Sequence, residues 1–271
     1  MKDAIAHIDG DICCYAVSSA CDGKKYRYKG TVFDSKTQLN KILKADGVDD
    51  SAIEIFYEPE PWDKVVKSTM SYIEGIIEKV GIDYKVYLTG KSNFRYQVAT
   101  IQPYKGNRVS IQKPVHLDGI RQFLVDNYDA DVSVGMEADD AIGIAHTPGV
   151  DIIATLDKDL NCIPGSHFNW AEERLYEVSE QEADAAFYRQ VITGDPTDNI
   201  PGIYGLGAKA KVLDNINNCK TAQEMFDLAA KEYQCRFGSY WEQFMKENCD
   251  LLWIMQKREP YYKEILLVEN L

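Results

Sequence analysis

Several things scarce in this sequence narrow its class. No apolar run approaches the roughly 18 to 20 residues needed to span a bilayer. The opening stretch, Met1-Lys2-Asp3-Ala4-Ile5-Ala6-His7-Ile8-Asp9, puts acids where a secretory signal needs an unbroken apolar core. A cytosolic protein with no membrane partner is expected. The seven cysteines, Cys13, Cys14, Cys21, Cys162, Cys219, Cys235 and Cys249, are odd in number and include no C-x-x-C pair. A disulfide framework, a thiolate zinc site and dithiol redox chemistry are therefore excluded, and reduced, mostly buried thiols are expected. The chain has no internal repeat, no low-complexity tract and no Pro/Gly-rich linker. Positive charge is also short, with 30 Lys and Arg against 43 Asp and Glu, a net charge of −13.

That balance argues against a polyanionic partner until the charges are located, because binding phosphate needs local positive charge. Between Lys91 and Arg121 stand Lys91, Arg95, Lys105, Arg108, Lys113 and Arg121, with Asp118 the only acid. A basic stretch beside acidic clusters is compatible with a polyanion handled through bound cations, although a solvated charge run is the commoner origin of such a stretch.

The 271 residues are enough for one or two domains. Apolar runs alternate with helical patterns, which reads as α/β with a largely parallel central sheet flanked by helices. Strands are expected at Ala4 to Ile8, Tyr84 to Leu88 and Asp131 to Val134. Val150 to Leu156, almost wholly apolar, reads as a strand buried on both faces. Val66, Met70, Ile73, Ile77 and Val80 recur at helical spacing over 62–80, with Gly81 at the C-cap position. Leu117, Ile120 and Leu124 mark another helix, and a further one starts near Ala138. Residues 23–61 fit this pattern poorly, and their strand-like pieces, Tyr26 to Tyr28 and Ile53 to Tyr57, read as an insertion. From Ser179 the chain becomes mainly helical, with capping-box patterns at Ser179/Glu182 and Thr221/Glu224. A boundary near residue 178 separates 1–178 from a helical 179–271, the two packing as one body.

Acids stand where strands and loops should end: Asp9 and Asp11; Glu137, Asp139 and Asp140; Asp157 and Asp159; Asp195 and Asp198. Ligands of an open parallel sheet bind at the carboxyl ends of its strands, so these clusters are expected to converge there. Carboxylates so crowded repel and take up protons unless divalent cations intervene. Magnesium and manganese prefer such oxygen donors, and two ions roughly 3.5 to 4 Å apart can activate water and stabilise a leaving oxygen. Singly, each cluster has an ordinary explanation in helix capping or turn chemistry. Together they indicate a two-metal site. Downstream, the glycine-rich run from Asn199 to Ala210 precedes a helical pattern, and its backbone, with Lys209 and Lys211, suits contact with phosphates. Asp9-x-Asp11 followed by Gly194-Asp195-x-x-x-Asn199 also allows a haloacid-dehalogenase-type phosphatase, which leaves the Glu137 cluster and the hairpin unexplained. A DNA-binding scaffold without catalysis is the third reading.

In order and spacing, Asp9-Gly10, Tyr104-Lys105-Gly-Asn107-Arg108, Glu137-Ala-Asp139-Asp140, Leu156-Asp157-Lys-Asp159 and Gly194-Asp195-x-x-Asp198-Asn-Ile-Pro-Gly202 with Gly205-x-Gly207 resemble the structure-specific 5′ nucleases. That family includes flap endonucleases, the 5′-nuclease domain of bacterial DNA polymerase I and stand-alone phage 5′-to-3′ exonucleases; this compact chain is most similar to the last. The resemblance runs from about Ala4 to Lys211. It implies a PIN-like core, with Asp9, Glu137 and Asp139 serving one Mg2+ or Mn2+ and Asp157, Asp159 and Asp198 the other, while Asp140 and Asp195 bridge or support. It implies that Tyr104, Lys105 and Arg108 act at the base of a helical arch near the scissile phosphate, with Tyr104 available to stack on a base. Gly202, Gly205, Gly207, Lys209 and Lys211 would form a helix–three-turn–helix on duplex DNA, with K+ held near Ile203 and Gly205. A monomer acting on 5′ ends, nicks, gaps or flaps of DNA, or on RNA–DNA hybrids, in a host cell's cytoplasm, follows from the same likeness. Two departures stand out. Gly90-Lys91 replaces the acid expected after Tyr87-Leu88-Thr89, leaving Asp11 as a candidate substitute, and only Val109 to Val115 remains for the arch.

Overall fold

The computed structural model describes residues 3–109 and 112–256. In chain order the elements are β1 (Ile5–Asp9), α1 (Gly10–Cys21), β2 (Lys24–Tyr28), β3 (Thr31–Phe33), α2 (Lys36–Asp46), β4 (Glu54–Tyr57), α3 (Trp62–Val80), β5 (Asp83–Leu88) and α4 (Arg95–Val98). There follow α5 (Leu117–Tyr128), β6 (Asp131–Val132), α6 (Ala138–Ala145), β7 (Ile152–Ala154), β8 (Gly165–Asn169), β9 (Arg174–Val178), α7 (Glu180–Thr193), α8 (Val212–Asn218), α9 (Ala222–Phe237) and α10 (Trp241–Leu252). A six-stranded sheet runs in the order β6-β5-β1-β7-β8-β9, parallel throughout except for the antiparallel β8–β9 pair. The α/β class is therefore as expected. No helix among the described residues is long and apolar enough to cross a membrane.

The central strand β1 is flanked by β5 and β7, so its residues cannot alternate between core and solvent, and four of its five are buried. On one face α1, α3 and α5 cover Ile8, Val86 and Leu88 with Val17, Ile73, Ile120 and Leu124. On the other, Ala138 and Ile142 of α6 pack with Tyr87, Ile153, Leu160 and Ile163. α3 buries Val65, Thr69, Ile73 and Ile76 on this core, a face turned slightly from the expected one, so that of the expected stripe Ile73 is buried and Met70 is exposed; Gly81 ends the helix with a left-handed φ of 69°.

Residues 24–57 add a separate sheet, β3-β2-β4, closed on one side by Leu39 and Leu43 of α2. The strand-like pieces anticipated in that segment lie in this sheet. The β8–β9 hairpin was not anticipated: Gly165-Ser-His-Phe-Asn has too few apolar residues to announce a strand. After it, α7 starts at a full Ser179/Glu182 capping box. At Thr221 the pattern is half met, because Glu224 turns back to the amide of Lys220 rather than to that of the cap. A second core, Phe187, Val191, Ile192, Leu213, Met225 and Tyr233 among others, joins α7 to α10. Residues 257–271 of the expected helical region lie outside the described ones. Five of the seven cysteines are buried; Cys235 is exposed.

The loop between α7 and α8 starts on a pair of opposed glycines. Gly194 (φ 69°) and Gly202 (φ 59°) lie back to back, so a Cβ at Gly202 would stand 2.1 Å from the amide nitrogen of Gly194. Asp195 and Ile200 exchange both backbone hydrogen bonds between them, and Asn248 accepts from the Gly202 amide. A side chain at Gly202 would have to displace backbone as well as adopt a strained φ. Gly202→Ala is therefore expected to cost more than about 3 kcal/mol in urea unfolding. Gly207→Ala, where a Cβ meets nothing within 4 Å, is expected to change stability by less than about 0.5 kcal/mol. Equal midpoints for the two variants would contradict this account of the turn.

Candidate metal and phosphodiester site

The carboxyl ends of β1, β5 and β7 open onto one cleft of about 2270 Å³. Seven of the eight acids singled out as metal ligands line it: Asp9, Glu137, Asp139, Asp157, Asp159, Asp195 and Asp198. Each arrives by a different local device. Asp9 ends β1 and caps α1, accepting from the Ile12 amide at 3.3 Å and the Thr155 hydroxyl at 3.0 Å. Glu137 caps α6. Asp157 follows β7 and caps the turn that carries Asp159, whose Oδ1 accepts from Gln190 of α7 at 2.6 Å. Asp195 accepts from the Thr197 amide at 2.7 Å, which shapes the loop that presents Asp198.

Burial, and then crowding, raises these acids' proton affinity. Burial, then Asp11, pushes the Asp9 carboxyl up to about 7, against the opposing Ile12 amide and Thr155 hydroxyl. Burial, then Asp157 and Asp195, pushes Asp159 up to about 7. Asp139 is driven well above the usual carboxylate range by burial and by Asp9 and Glu137, and Asp157 is raised chiefly by burial. Without added positive charge the cleft cannot hold all its acids ionised near neutrality.

Some of that charge comes from the basic motif. Lys105 Nζ lies 2.5 Å from Glu137 and 3.5 Å from Asp198, between carboxylates of different segments. Burial works against its charge, but Glu137 and Asp198 outweigh it and hold the ammonium above its ordinary range. Arg108 lies 2.5 Å from Asp198 and donates to the Thr197 carbonyl at 3.1 Å. The motif is stitched to the Pro196–Asn199 loop: the Lys105 amide donates to the Asp198 carbonyl, Asn107 to that of Pro196, and Asn199 to that of Pro103.

Tyr104 requires a correction. It is only 4% exposed, set in the helical core against Tyr96, so its ring has no face for a base. Its hydroxyl lies 2.7 Å from Asp198 and 3.1 Å from Glu137, bracing both carboxylates. Asp140 needs another correction as a ligand. Wholly buried, it receives Arg95 on both oxygens at 2.6 and 2.9 Å, together with the amides of Glu137 and Met255. The same guanidinium donates to the carbonyls of Leu251 and Trp253, tying the end of α10 to the start of α6. Asp140 therefore supports the site from behind. Arg95, Thr155 and Gln190 were missed as supporting residues. Arg95 was visible as a basic residue, but nothing in its spacing marked it for burial.

Asp11 faces the cleft, yet Arg121 holds Oδ1 and the Thr89 amide donates to Oδ2 at 2.9 Å. Both of its oxygens are thus engaged at the side of the cleft. Position 90 can carry no acid at all on this backbone, because a Cβ there would lie 1.9 Å from the Ser133 carbonyl oxygen. Of the expected arch, residues 110 and 111 lie outside the described ones, and α5 starts at Leu117.

The glycine hairpin reaches the rim of the cleft through Gly207. Gly205, Gly207, Lys209 and Lys211 are exposed. Ile203 is buried, its amide bonded to the Ile192 carbonyl and its own carbonyl accepting from the Leu206 amide at 3.0 Å.

No protein-family model matches the chain. The exonuclease of Escherichia phage T7 is 33% identical to it over 127 residues, 42% of this chain and 41% of that protein. The match thus spans about two fifths of the relative's own length. Among solved structures, the T5 D15 protein co-crystallised with metal ions is 16% identical, with a TM-score of 0.45, covering 92% of this chain and 99% of its own. A bacteriophage T5 D15 flap endonuclease variant in a pseudo-enzyme–product complex with DNA and metal ions is 17% identical, with a TM-score of 0.47 and the same coverage.

Two outcomes are expected of the metal-free protein. A folded-state pKa near 7 on Asp9 contributes stability that is complete below the unfolded value of about 3.8 and lost as pH rises through 7. Asp9→Asn should therefore flatten the fall in thermal stability of metal-free protein between pH 5 and 8, and an unchanged slope would contradict the raised proton affinity that burial and Asp11 give this carboxyl. Arg95→Ala leaves a buried carboxylate unpaired and should cost about 3 to 5 kcal/mol in denaturant unfolding. A loss under about 1 kcal/mol would show the pair to be dispensable.

Proposed function

We propose that this chain is a divalent-metal-dependent 5′ nuclease that hydrolyses phosphodiester bonds in DNA. The observation that carries the reading is the gathering of seven carboxylates from four segments in one cleft, with Asp9 and Asp159 pushed up to about 7. The donor set is all oxygen and negatively charged, which fits magnesium or manganese. Asp9, Glu137 and Asp139 would hold one ion and Asp157, Asp159 and Asp198 a second, with Asp195 shaping the loop. Such ions, when bound, lower the pKa of water and stabilise the departing oxygen.

The protein's own groups do the rest. Lys105 and Arg108 sit on Glu137 and Asp198 without DNA, and metal charge on those carboxylates would free both cations for a phosphate. Aimed at the phosphoryl oxygens, they favour the state in which negative charge builds up more than the bound ground state, which raises turnover. Arg95 and Asp140 keep α6 in place so that Glu137 and Asp139 hold their aim. Gly205 and Gly207, with Lys209 and Lys211, would carry the duplex through backbone and ammonium contacts to phosphates, on a turn that the buried Gly202 shapes rather than touching DNA itself. K+ held by carbonyls at Ile203 and Gly205 would assist. The substrates proposed are duplex 5′ ends, nicks, gaps and flaps, including RNA–DNA hybrids, cleaved by a monomer in a host cell's cytoplasm. The partial likeness to a phage exonuclease supports action at nucleic-acid ends among these.

Asp157→Ala and Asp159→Ala are expected to abolish cleavage of a 5′-labelled flap in magnesium or manganese while leaving duplex affinity within a few-fold of wild type. Cleavage at the wild-type rate by either variant rejects the metal assignment; DNA binding by the unaltered protein with no hydrolysis in either metal identifies a scaffold instead. Lys105→Ala and Arg108→Ala should each lower the single-turnover rate at saturating DNA by at least about tenfold, about 1.4 kcal/mol. Rates within threefold of wild type for both would mean that these cations only collect DNA.

A further inference from the structure

At the opposite end of the sheet a second polar group is buried, with a different donor chemistry. We propose that His7, His146 and Asp151 form a binding site for a borderline divalent ion of the zinc class, separate from the carboxylate cleft. Their donor atoms lie within 4.8 Å of one another, and the side chains are 2%, 8% and 0% exposed. His7 projects from the middle of β1, Asp151 stands just before β7, and His146 follows the last residue of α6. That helix has eight residues, so about 12 Å of its axis separates His146 from Glu137 and Asp139 at its other end.

Three features point to a cation here. The His146 ring Nε2 faces the Pro164 carbonyl at 3.2 Å, which places the ring proton there and leaves Nδ1 with a lone pair. That Nδ1 is buried with no hydrogen-bond partner, a costly state that a bound ion would remove. The Nε2 atom of His7 lies 3.4 Å from Asp151 Oδ2. This exceeds the roughly 2.7 to 2.9 Å of a charge-assisted hydrogen bond. It equals the separation of about 3.4 Å between two donors on a tetrahedral ion with bonds of about 2.0 to 2.1 Å.

The surroundings orient these donors. His7 Nδ1 is 2.9 Å from the Tyr87 hydroxyl, leaving Nε2 to face Asp151. The carboxylate is fixed by the Ile5 amide at 3.1 Å on Oδ1 and the Thr147 amide at 2.9 Å on Oδ2. Partners of this kind commonly hold metal-ligating imidazoles and carboxylates. Two nitrogens and one oxygen suit zinc or cobalt, whereas magnesium demands a fuller set of oxygens. The three donors would draw together by on the order of an ångström to reach bonding distance, and water would take the fourth position. An ion here would pin β1 two residues before Asp9, clamping the central strand to the ends of α6 and β7.

Crystals of the full chain grown with zinc, and data collected on both sides of the zinc absorption edge, test this directly. An anomalous peak bonded to His7, His146 and Asp151 is expected, and anomalous density confined to the carboxylate cleft would overturn the proposal. Independently, wild-type protein and His146→Gln are dialysed against buffered zinc with excess magnesium to occupy the cleft. The wild type should retain one more zinc per chain; equal zinc in the two would also overturn the site. If His146→Gln does not fold, the wild-type anomalous map still decides. Neither measurement depends on nuclease activity.

Discussion

The burial of many carboxylates together at one end of a parallel sheet is the constraint on which the rest of this molecule depends. An open sheet directs its strand ends to one place, and here those ends carry acids that would prefer to be apart. Burial and mutual repulsion lift Asp9 and Asp159 to about 7 and Asp139 well above its usual range. Cations relieve this at several depths. Arg95 neutralises Asp140 behind the cleft, Arg121 takes Asp11 at its side, and Lys105 with Arg108 enters from the front to sit on Glu137 and Asp198. What remains faces the cleft as hard oxygen donors, the arrangement divalent ions satisfy.

The scaffold converts that repulsion into a fixed geometry. The Glu137–Asp140 capping box and the Arg95 bonds to Leu251 and Trp253 couple α6 to the end of the helical region. Gln190 reaches from α7 to Asp159, and the opposed glycines 194 and 202 shape the loop that carries Asp195 and Asp198. The carboxylates thus depend on both cores: β1, α6 and the turn after β7 supply Asp9, Glu137, Asp139, Asp157 and Asp159, and the helical region supplies Asp195, Asp198 and the Gln190 brace on Asp159. Tyr104 joins the two, with its ring in the helical core and its hydroxyl between Glu137 and Asp198.

Much of this was legible in the sequence, for identifiable reasons. β7 and α3 announced themselves because burial on both faces and helical spacing each leave a pattern in the order of apolar residues, although β7 spans only Ile152–Ala154 of the expected Val150 to Leu156. Strands running to shared carboxyl ends made the convergence of the acid clusters inferable without coordinates. The β8–β9 hairpin was hidden, since Ser166, His167 and Asn169 break the apolar signal that pairing with β7 makes unnecessary. Side-chain direction was hidden too. Glu137, Asp139 and Asp140 are near neighbours in sequence, but helix geometry sends Asp140 inward to Arg95 and leaves Asp139 facing the cleft. Tyr104 read as an exposed stacking residue because it sits beside Lys105; only packing reveals it as part of the core. The inability of position 90 to bear a side chain depends on the approach of Ser133, 43 residues away, and no local pattern encodes it.

The central claim is that divalent ions take the place of protons on the crowded carboxylates, and proton release on metal binding measures that exchange. Manganese would be titrated into metal-free protein by calorimetry in buffers of different ionisation enthalpy, at several pH values. With Asp9 and Asp159 pushed up to about 7, binding at pH 7 should release at least about half a proton per chain, declining toward zero by pH 9. Tight binding at pH 7 with no proton release, or release that does not change with pH, would contradict the account.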